Sequence, residues 1–236
     1  MFPYTIRIHP RARHVRLRLD PREGLVVTVP KRFDQRRVPA LIAERRDWIE
    51  SIQASMNQAR SGLDPALVSV RPARVDLPAV AEQWTVSYEA GARSTLGFQA
   101  DQATLSFQLP QSEPADLDAR ISARLRGWLM DHARNRLEPM VHQLAGEHGF
   151  SHGPITIRNQ RTRWGSCSAR GHLSLNARLL FASPQACRYV LIHELAHTEH
   201  LNHSRAFWQR VAGLDPNFQN HQAELKKVWQ QLPDWL

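Results

Sequence analysis

Apolar and polar residues alternate through much of the first thirty positions. Ile6, Ile8, Val15, Leu17 and Leu19 interleave with Arg7, Arg16, Arg18 and Asp20, and Leu25-Val26-Val27-Thr28-Val29 follows the break Pro21-Arg22-Glu23-Gly24. A period of two around a Pro/Gly break predicts a β-hairpin. From about Gln35 to Gln58 the period lengthens, with Val38, Leu41, Ile42, Trp48, Ile49 and Ile52 at helical spacing, which predicts one helix. Residues 67–110 return to short strands. Thr85-Val86-Ser87-Tyr88 and Thr104-Leu105-Ser106-Phe107-Gln108-Leu109 alternate, with Gly91 and Gly97 between them.

The polar, proline-bearing segment Gln111-Ser112-Glu113-Pro114-Ala115-Asp116 is the best linker candidate. It divides the pattern into a β-rich region with one helix (1–110) and a helical region (111–236), unless the two form one continuous domain. After it a long helix is expected from about Leu117 to Glu147, bent near Pro139 and followed by Gly149. Residues 155–158 and 172–176 predict two strands around the loop 161–168. A helix from Pro184 to Leu201 is signalled by Ser183 as cap and Pro184 in the first turn. Two more helices, from Ser204 and from about Asn220, close an α+β chain.

Composition changes this picture little. Hydrophobic residues are 42% and charged residues 22%, the balance of an ordinary globular protein. No run approaches the roughly 18 consecutive apolar residues of a membrane span. The N-terminus has no apolar signal core, and Cys167 and Cys187 are too few for a disulfide scaffold, so a cytoplasmic protein with reduced thiols is expected. The formal charge of +9 favours polyanionic partners, nucleic acid among them. Because 28 of the 31 basic residues are arginine, a compositional habit explains the excess equally well. Charge alone names no partner.

Chemistry enters at His193-Glu194-Leu195-Ala196-His197. On a helix two residues four apart lie about 40° apart on one face, one turn apart. Two neutral imidazoles so placed can converge on one cation, and Glu194 beside them can act as general base on zinc-bound water. With 12 histidines in 236 residues, chance supplies this pattern only about 0.03 times in such a chain. The flanking Tyr189-Val190-Leu191-Ile192 is apolar, so these polar groups need a partner.

A hydrolytic zinc site normally takes three protein ligands and keeps one position open. His200, His203, Glu199 and Glu224 are the candidates for the third. His200 lies about 10 Å along the axis from His193, poor geometry on a straight helix. His203 follows His197 by six residues, the spacing of the extended H-E-x-x-H-x-x-G-x-x-H pattern, and reaches the metal if a left-handed Asn202 turns the chain. Glu224 is the fallback, and His200 is left as a substrate-contacting or solvated residue. The pattern's glycine is His200 here and no methionine follows Met140, so the metzincin label does not apply.

The block Arg163-Trp164-Gly165-Ser166-Cys167-Ser168, Gly171, Leu175-Asn176, His193-Glu194-Leu195-Ala196-His197, Asn202-His203-Ser204 and Phe207-Trp208 resembles the YgjP-like metal-dependent hydrolases. These are zincin-type metallopeptidases related to the SprT-like and WLM groups. The opening hairpin and Arg46-Asp47-Trp48-Ile49 look similar too. The resemblance implies a zincin-like helical metallopeptidase domain with a small sheet, one Zn²⁺ on His193, His197 and His203, and Glu194 as base. It also implies an edge strand beside the cleft from Arg163 to Asn176.

The residues themselves read Trp164 as core, Gly165 as a turn glycine and Cys167 as an inert buried thiol. Arg161 and Arg163 could hold an oxyanion or a phosphate, and Phe207 and Trp208 would fix the direction of His203. Three activities follow in order: hydrolysis of a peptide or protein, pyrophosphohydrolysis of a nucleoside triphosphate at the same metal, and a nucleic-acid-associated role like that of SprT-like proteins. No membrane partner is expected.

Overall fold

The structure, a computed structural model, describes residues 2–20, 24–62 and 65–236. The chain divides into two compact units, Met1–Leu63 and Asp64–Leu236.

In the first unit β1 (Tyr4–His9), β2 (Arg16–Asp20) and β3 (Gly24–Pro30) form a sheet of order β1-β3-β2. β2 and β3 pair antiparallel as the alternation predicts, while β1 pairs parallel with β3. The expected turn residues 21–23 lie outside the described residues. Leu25, Val27 and Val29 turn one face of β3 inward against Val38, Ile42 and Ile49. Those three come from two helices, α1 (Val38–Glu44) and α2 (Arg46–Ser61), where the periodicity predicts one. The break is at Arg45, whose N–H bonds to the Ile42 carbonyl three residues back. No glycine or proline marks it, so the apolar spacing runs straight through.

The second unit begins with α3 (Pro65–Val68) and a four-stranded sheet. Its strands are β4 (Arg74–Leu77), β5 (Glu82–Ala90), β6 (Gly97–Asp101) and β7 (Thr104–Leu109), in the order β4-β5-β7-β6. β6 escapes the sequence signals. It joins β7 through Gln102 and Ala103, both at positive φ, where a hairpin turn usually carries Asn or Gly. α4 (Leu117–His148) runs unbroken through Pro139 and ends on Gly149 at φ +73°, whose N–H caps the Ala145 carbonyl. A buried row on α4, Ile121, Leu125, Leu129, Ala133, Leu137 and Val141, recurs every four residues.

This row explains why the unit boundary falls at 63/64 and not at 110/111. The sheet residues Val75, Leu77, Val86, Leu105 and Phe107 share one continuous core with α4 and with the helix carrying the motif. Residues 65–110 thus pack with the C-terminal region.

Beyond α4, β8 (Ile155–Arg158), β9 (Gly165–Cys167) and β10 (Leu173–Asn176) form a small sheet of order β8-β10-β9, leaving β9 on the edge. α5 (Pro184–Ala196) is capped by the Ser183 hydroxyl, which accepts from the Ala186 N–H. It is buried on most of its circumference, as an interior helix without a polar face must be. α6 (Arg205–Leu214) and α7 (Phe218–Gln231) complete the unit. No helix among the described residues is long and apolar enough to cross a membrane.

Candidate metal centre

α5 ends sooner than its apolar pattern suggests. Helical structure stops at Ala196, and tightened turns follow: the Thr198 N–H bonds to the Leu195 carbonyl and the Glu199 N–H to that of Ala196. The Thr198 hydroxyl donates to the Leu195 carbonyl as well, at 2.7 Å. Asn202 is not left-handed; Ala81, Gln102 and Ala103 are the positive-φ residues other than glycine among those described. The tight turns over 197–200, not Asn202, redirect the chain and bring His203 back.

The result is a cluster. One ring nitrogen each of His193, His197 and His203 lies within 4.8 Å of the other two. His193 Nε2 and His203 Nε2 are 3.1 Å apart. Bonds of about 2.1 Å to a tetrahedral ion hold nitrogens roughly 3.4 Å apart, so the donor set is of the right size for zinc.

The second ring nitrogens of His193 and His197 have partners. His197 Nδ1 donates to the His200 carbonyl at 3.0 Å, which leaves Nε2 with its lone pair, and Tyr189 Oη stands 3.4 Å from His193 Nδ1. Such outer partners fix the tautomer a ligand needs. The buried ring of Phe207, the third residue of α6, sits 4.9, 4.5 and 4.9 Å from the three imidazole centroids, and Trp208 stacks on His203. Burial and the neighbouring histidines push His193 down to about 4, and burial lowers His197 too. Both imidazoles are therefore neutral at pH 7, the form that ligates.

Glu194 turns from the same helix into the interior and is 6% exposed. Burial pushes its carboxyl up to about 8, opposed by the cation of Arg163. Its Oε2 is buried without a hydrogen-bond partner. An orphaned carboxyl oxygen beside three converging imidazoles is what a metal-assisted base would leave, so the residues fit a zinc centre.

Gly165 is more than a turn residue. It lies in β9, and a Cβ there would stand 2.7 Å from both Cγ and Oε1 of Glu194. A glycine inside a strand can mark such an approach; this was the signal available in the sequence. Asn176, fully buried, donates from Nδ2 to the carbonyls of Gln160 and Arg163, each at 2.8 Å, and so ties down the loop before β9.

The remaining candidates separate. Glu224 accepts from the Ser183 N–H and hydroxyl at 3.1 and 3.0 Å, clamping α7 to the start of α5, away from the imidazole cluster. Glu199 pairs with Arg210. His200 contributes its carbonyl to His197, and its ring is not part of the cluster. Arg161 and Arg163 are exposed on the loop, Arg163 close enough to act on Glu194. Cys167 is half-buried and not an interior thiol, and burial followed by the Glu194 charge pushes it up to about 11. Trp164 is half-buried, meets Trp229 edge-on at 4.7 Å, and lines a cavity. That cavity, about 280 Å³, opens beside His193 and Glu194 between Gly165, Tyr189, Val190, Gln222, Leu225 and Lys226.

The α+β fold and this donor cluster define a chain of metallopeptidase type. A family model described as YgjP-like, metallopeptidase domain, matches residues 13–228, and the chain belongs to that family. Its metal-dependent hydrolase class and zincin-like domain follow from that membership. No curated protein matches the chain. Among solved structures, the metallopeptidase zymogen abylysin of Pyrococcus abyssi is similar at 24% identity and a TM-score of 0.37, over 41% of this chain and 97% of that one.

Two outcomes follow. Gly165→Ala should keep one bound zinc per chain while kcat falls at least tenfold, because the methyl displaces Glu194 and not the imidazoles; metal analysis beside kinetics checks this, and unchanged kcat contradicts it. The second concerns pH. Glu194 has a folded pKa near 8, above its ordinary 4.5, so its neutral form stabilises the metal-free protein fully below pH 4.5 and that contribution is lost as pH rises through 8. The lowered His193 acts oppositely, losing stability as pH falls from 6.5 toward 4, and does so in both proteins compared. The Tm advantage of metal-free Glu194→Gln over metal-free wild type should therefore widen between pH 5 and pH 8. A constant gap would contradict the burial of an unpaired carboxylate.

Proposed function

We propose that this chain is a zinc-dependent peptidase in which His193, His197 and His203 hold one zinc ion and Glu194 is the general base. The observation that carries this reading is the buried Glu194 carboxyl, with Oε2 unpartnered, next to three imidazoles whose nitrogens converge. Zinc held there supplies a Lewis acid, which eases removal of a proton from water and polarises a carbonyl.

Glu194 does the proton work. Its carboxylate takes a proton from the attacking water and returns it to the departing amine. Near-complete burial raises its basicity, so it holds that proton between the two transfers. Gly165 keeps its backbone against the carboxylate and limits where it can swing. Arg163, already acting on Glu194, is assigned with Arg161 and His200 to holding substrate beside the centre.

A peptide substrate is favoured over a nucleotide by the cavity at Glu194. Its walls are largely Trp164, Tyr189, Val190 and Leu225, with Lys226 the one cation among its lining residues. Such walls receive a side chain, whereas a triphosphate asks for several donors.

The test pairs wild type with Glu194→Gln, both zinc-loaded, on a mixed peptide library and on nucleoside triphosphates. Wild type should cut peptides, and the variant should retain zinc while turnover falls by at least about 10³-fold. Equal peptide cleavage by the two proteins overturns the role of Glu194. Pyrophosphate release from a triphosphate with no peptide cut overturns the substrate class.

A further inference from the structure

The net charge is not spread evenly. Residues 1–63 hold thirteen Arg or Lys and six Asp or Glu, a net +7 of the chain's +9, while residues 64–236 hold eighteen against sixteen. The catalytic unit is thus close to neutral. The polyanion affinity that composition suggests belongs to the first unit.

The strand register gathers much of that charge at one end of the small sheet. β1 leaves the sheet at His9, which pairs with Pro30 at the end of β3. β2 enters it at Arg16, paired with Thr28 of the same strand. The connection 10–15 and the segment 31–37 therefore emerge side by side. The first brings Arg11 and Arg13 next to Arg16; the second brings Lys31, Arg32, Arg36 and Arg37. All seven are exposed.

One carboxylate, Asp34, accompanies them, and its Oδ1 accepts from the Arg36 N–H as the cap of a short turn of helix. Among the described residues no carboxylate stands within ion-pairing distance of the seven side chains. Local order holds the two segments in place: the Ala12 N–H bonds to the His9 carbonyl and the Phe33 N–H to the Pro30 carbonyl, each at 3.0 Å. Seven like charges, six in the two connections and Arg16 at the start of β2, repel one another, and a polyanion relieves that repulsion.

We propose that this end of the first unit is a nucleic-acid-binding surface that engages the phosphate backbone. Six of the seven cations are arginines, whose planar forks match phosphate oxygens better than an ammonium does. A membrane surface would also call for an apolar face to insert. On these strands Ile8 is the single large apolar side chain exposed, among the described residues. Neither the peptidase reading nor zinc enters this assignment.

The test uses the full-length protein with fluorescent 20-nucleotide single- and double-stranded oligonucleotides, followed by anisotropy from 50 to 250 mM salt, in wild type and in Glu194→Gln. Log affinity should fall with log salt at a slope of about −4 or steeper, since each phosphate neutralised contributes roughly −0.7 to −0.9. The combined variant Arg11→Gln, Arg13→Gln, Arg32→Gln, Arg37→Gln should lose at least 30-fold in affinity at 100 mM salt and flatten the slope by about 3. A matched variant removing four exposed cations of the second unit, at Arg93, Arg124, Arg170 and Lys227, should lose less than threefold. Both variants should unfold at the wild-type Tm.

Absence of binding to either oligonucleotide below about 10 µM at 50 mM salt overturns the proposal. So does equal loss in the two variants. Vesicles of 30% phosphatidylserine in phosphatidylcholine form a further arm: patch-dependent binding to these with none to oligonucleotides also overturns it, in favour of a membrane. Because Glu194→Gln must bind as wild type does, failure of the peptidase reading leaves this result unaffected.

Discussion

A carboxyl group kept almost out of water, without a hydrogen bond to one of its oxygens, is the constraint on which the second unit depends. Burying Glu194 raises its basicity and costs stability whenever it is charged. The fold meets that cost in two ways. α5 is interior and apolar, with Leu191, Ile192, Leu195 and Ala196 fully buried around the motif, so the helix is held by packing and not by its own polar pattern. Opposite it, β9 offers backbone with no side chain at Gly165, the space a buried carboxylate requires.

The imidazole cluster is built by ending a helix early. If α5 continued to Leu201, His200 and not His203 would lie along the face of His193 and His197, too far up the axis to share an ion. Tight turns after Ala196 instead fold the chain back onto α6, and Phe207 supplies one apolar ring against which all three imidazoles rest. The orientation of His197 then comes from a backbone carbonyl of the same turn, that of His200. A residue that looked like a spare ligand or substrate contact thus has a positioning contact through its main chain.

Much of this was legible in the residues. The spacing of His193, Glu194 and His197 needs only helical geometry, and the alternation of β2, β3, β5 and β7 needs only a half-buried sheet. Other features are absent from local pattern because they arise between distant segments. The break at Arg45 carries no breaker residue. The Gln102-Ala103 turn lacks the usual glycine, and the approach of Gly165 to Glu194 joins positions 29 residues apart in sequence. Glu224 looked like a ligand because its chemistry permits it; its position at the start of α5, bonded to Ser183, is a tertiary fact. The division at 63/64 likewise follows from α4 gathering the four-stranded sheet into its own core, which a polar linker at 111–116 could not reveal.

The two units divide the chemistry as they divide the charge, a near-neutral unit around the imidazole cluster and a strongly cationic one beside it in sequence. The central claim concerns the near-neutral unit, and the identity of its third ligand tests it most directly. Calorimetric zinc titration of the metal-free protein, compared with His203→Ala and Glu224→Ala, should give one site per chain, weakened at least 100-fold in His203→Ala and unchanged within about threefold in Glu224→Ala. Equal affinity in wild type and His203→Ala, or loss of the site in Glu224→Ala with the fold intact, would contradict the three-histidine centre.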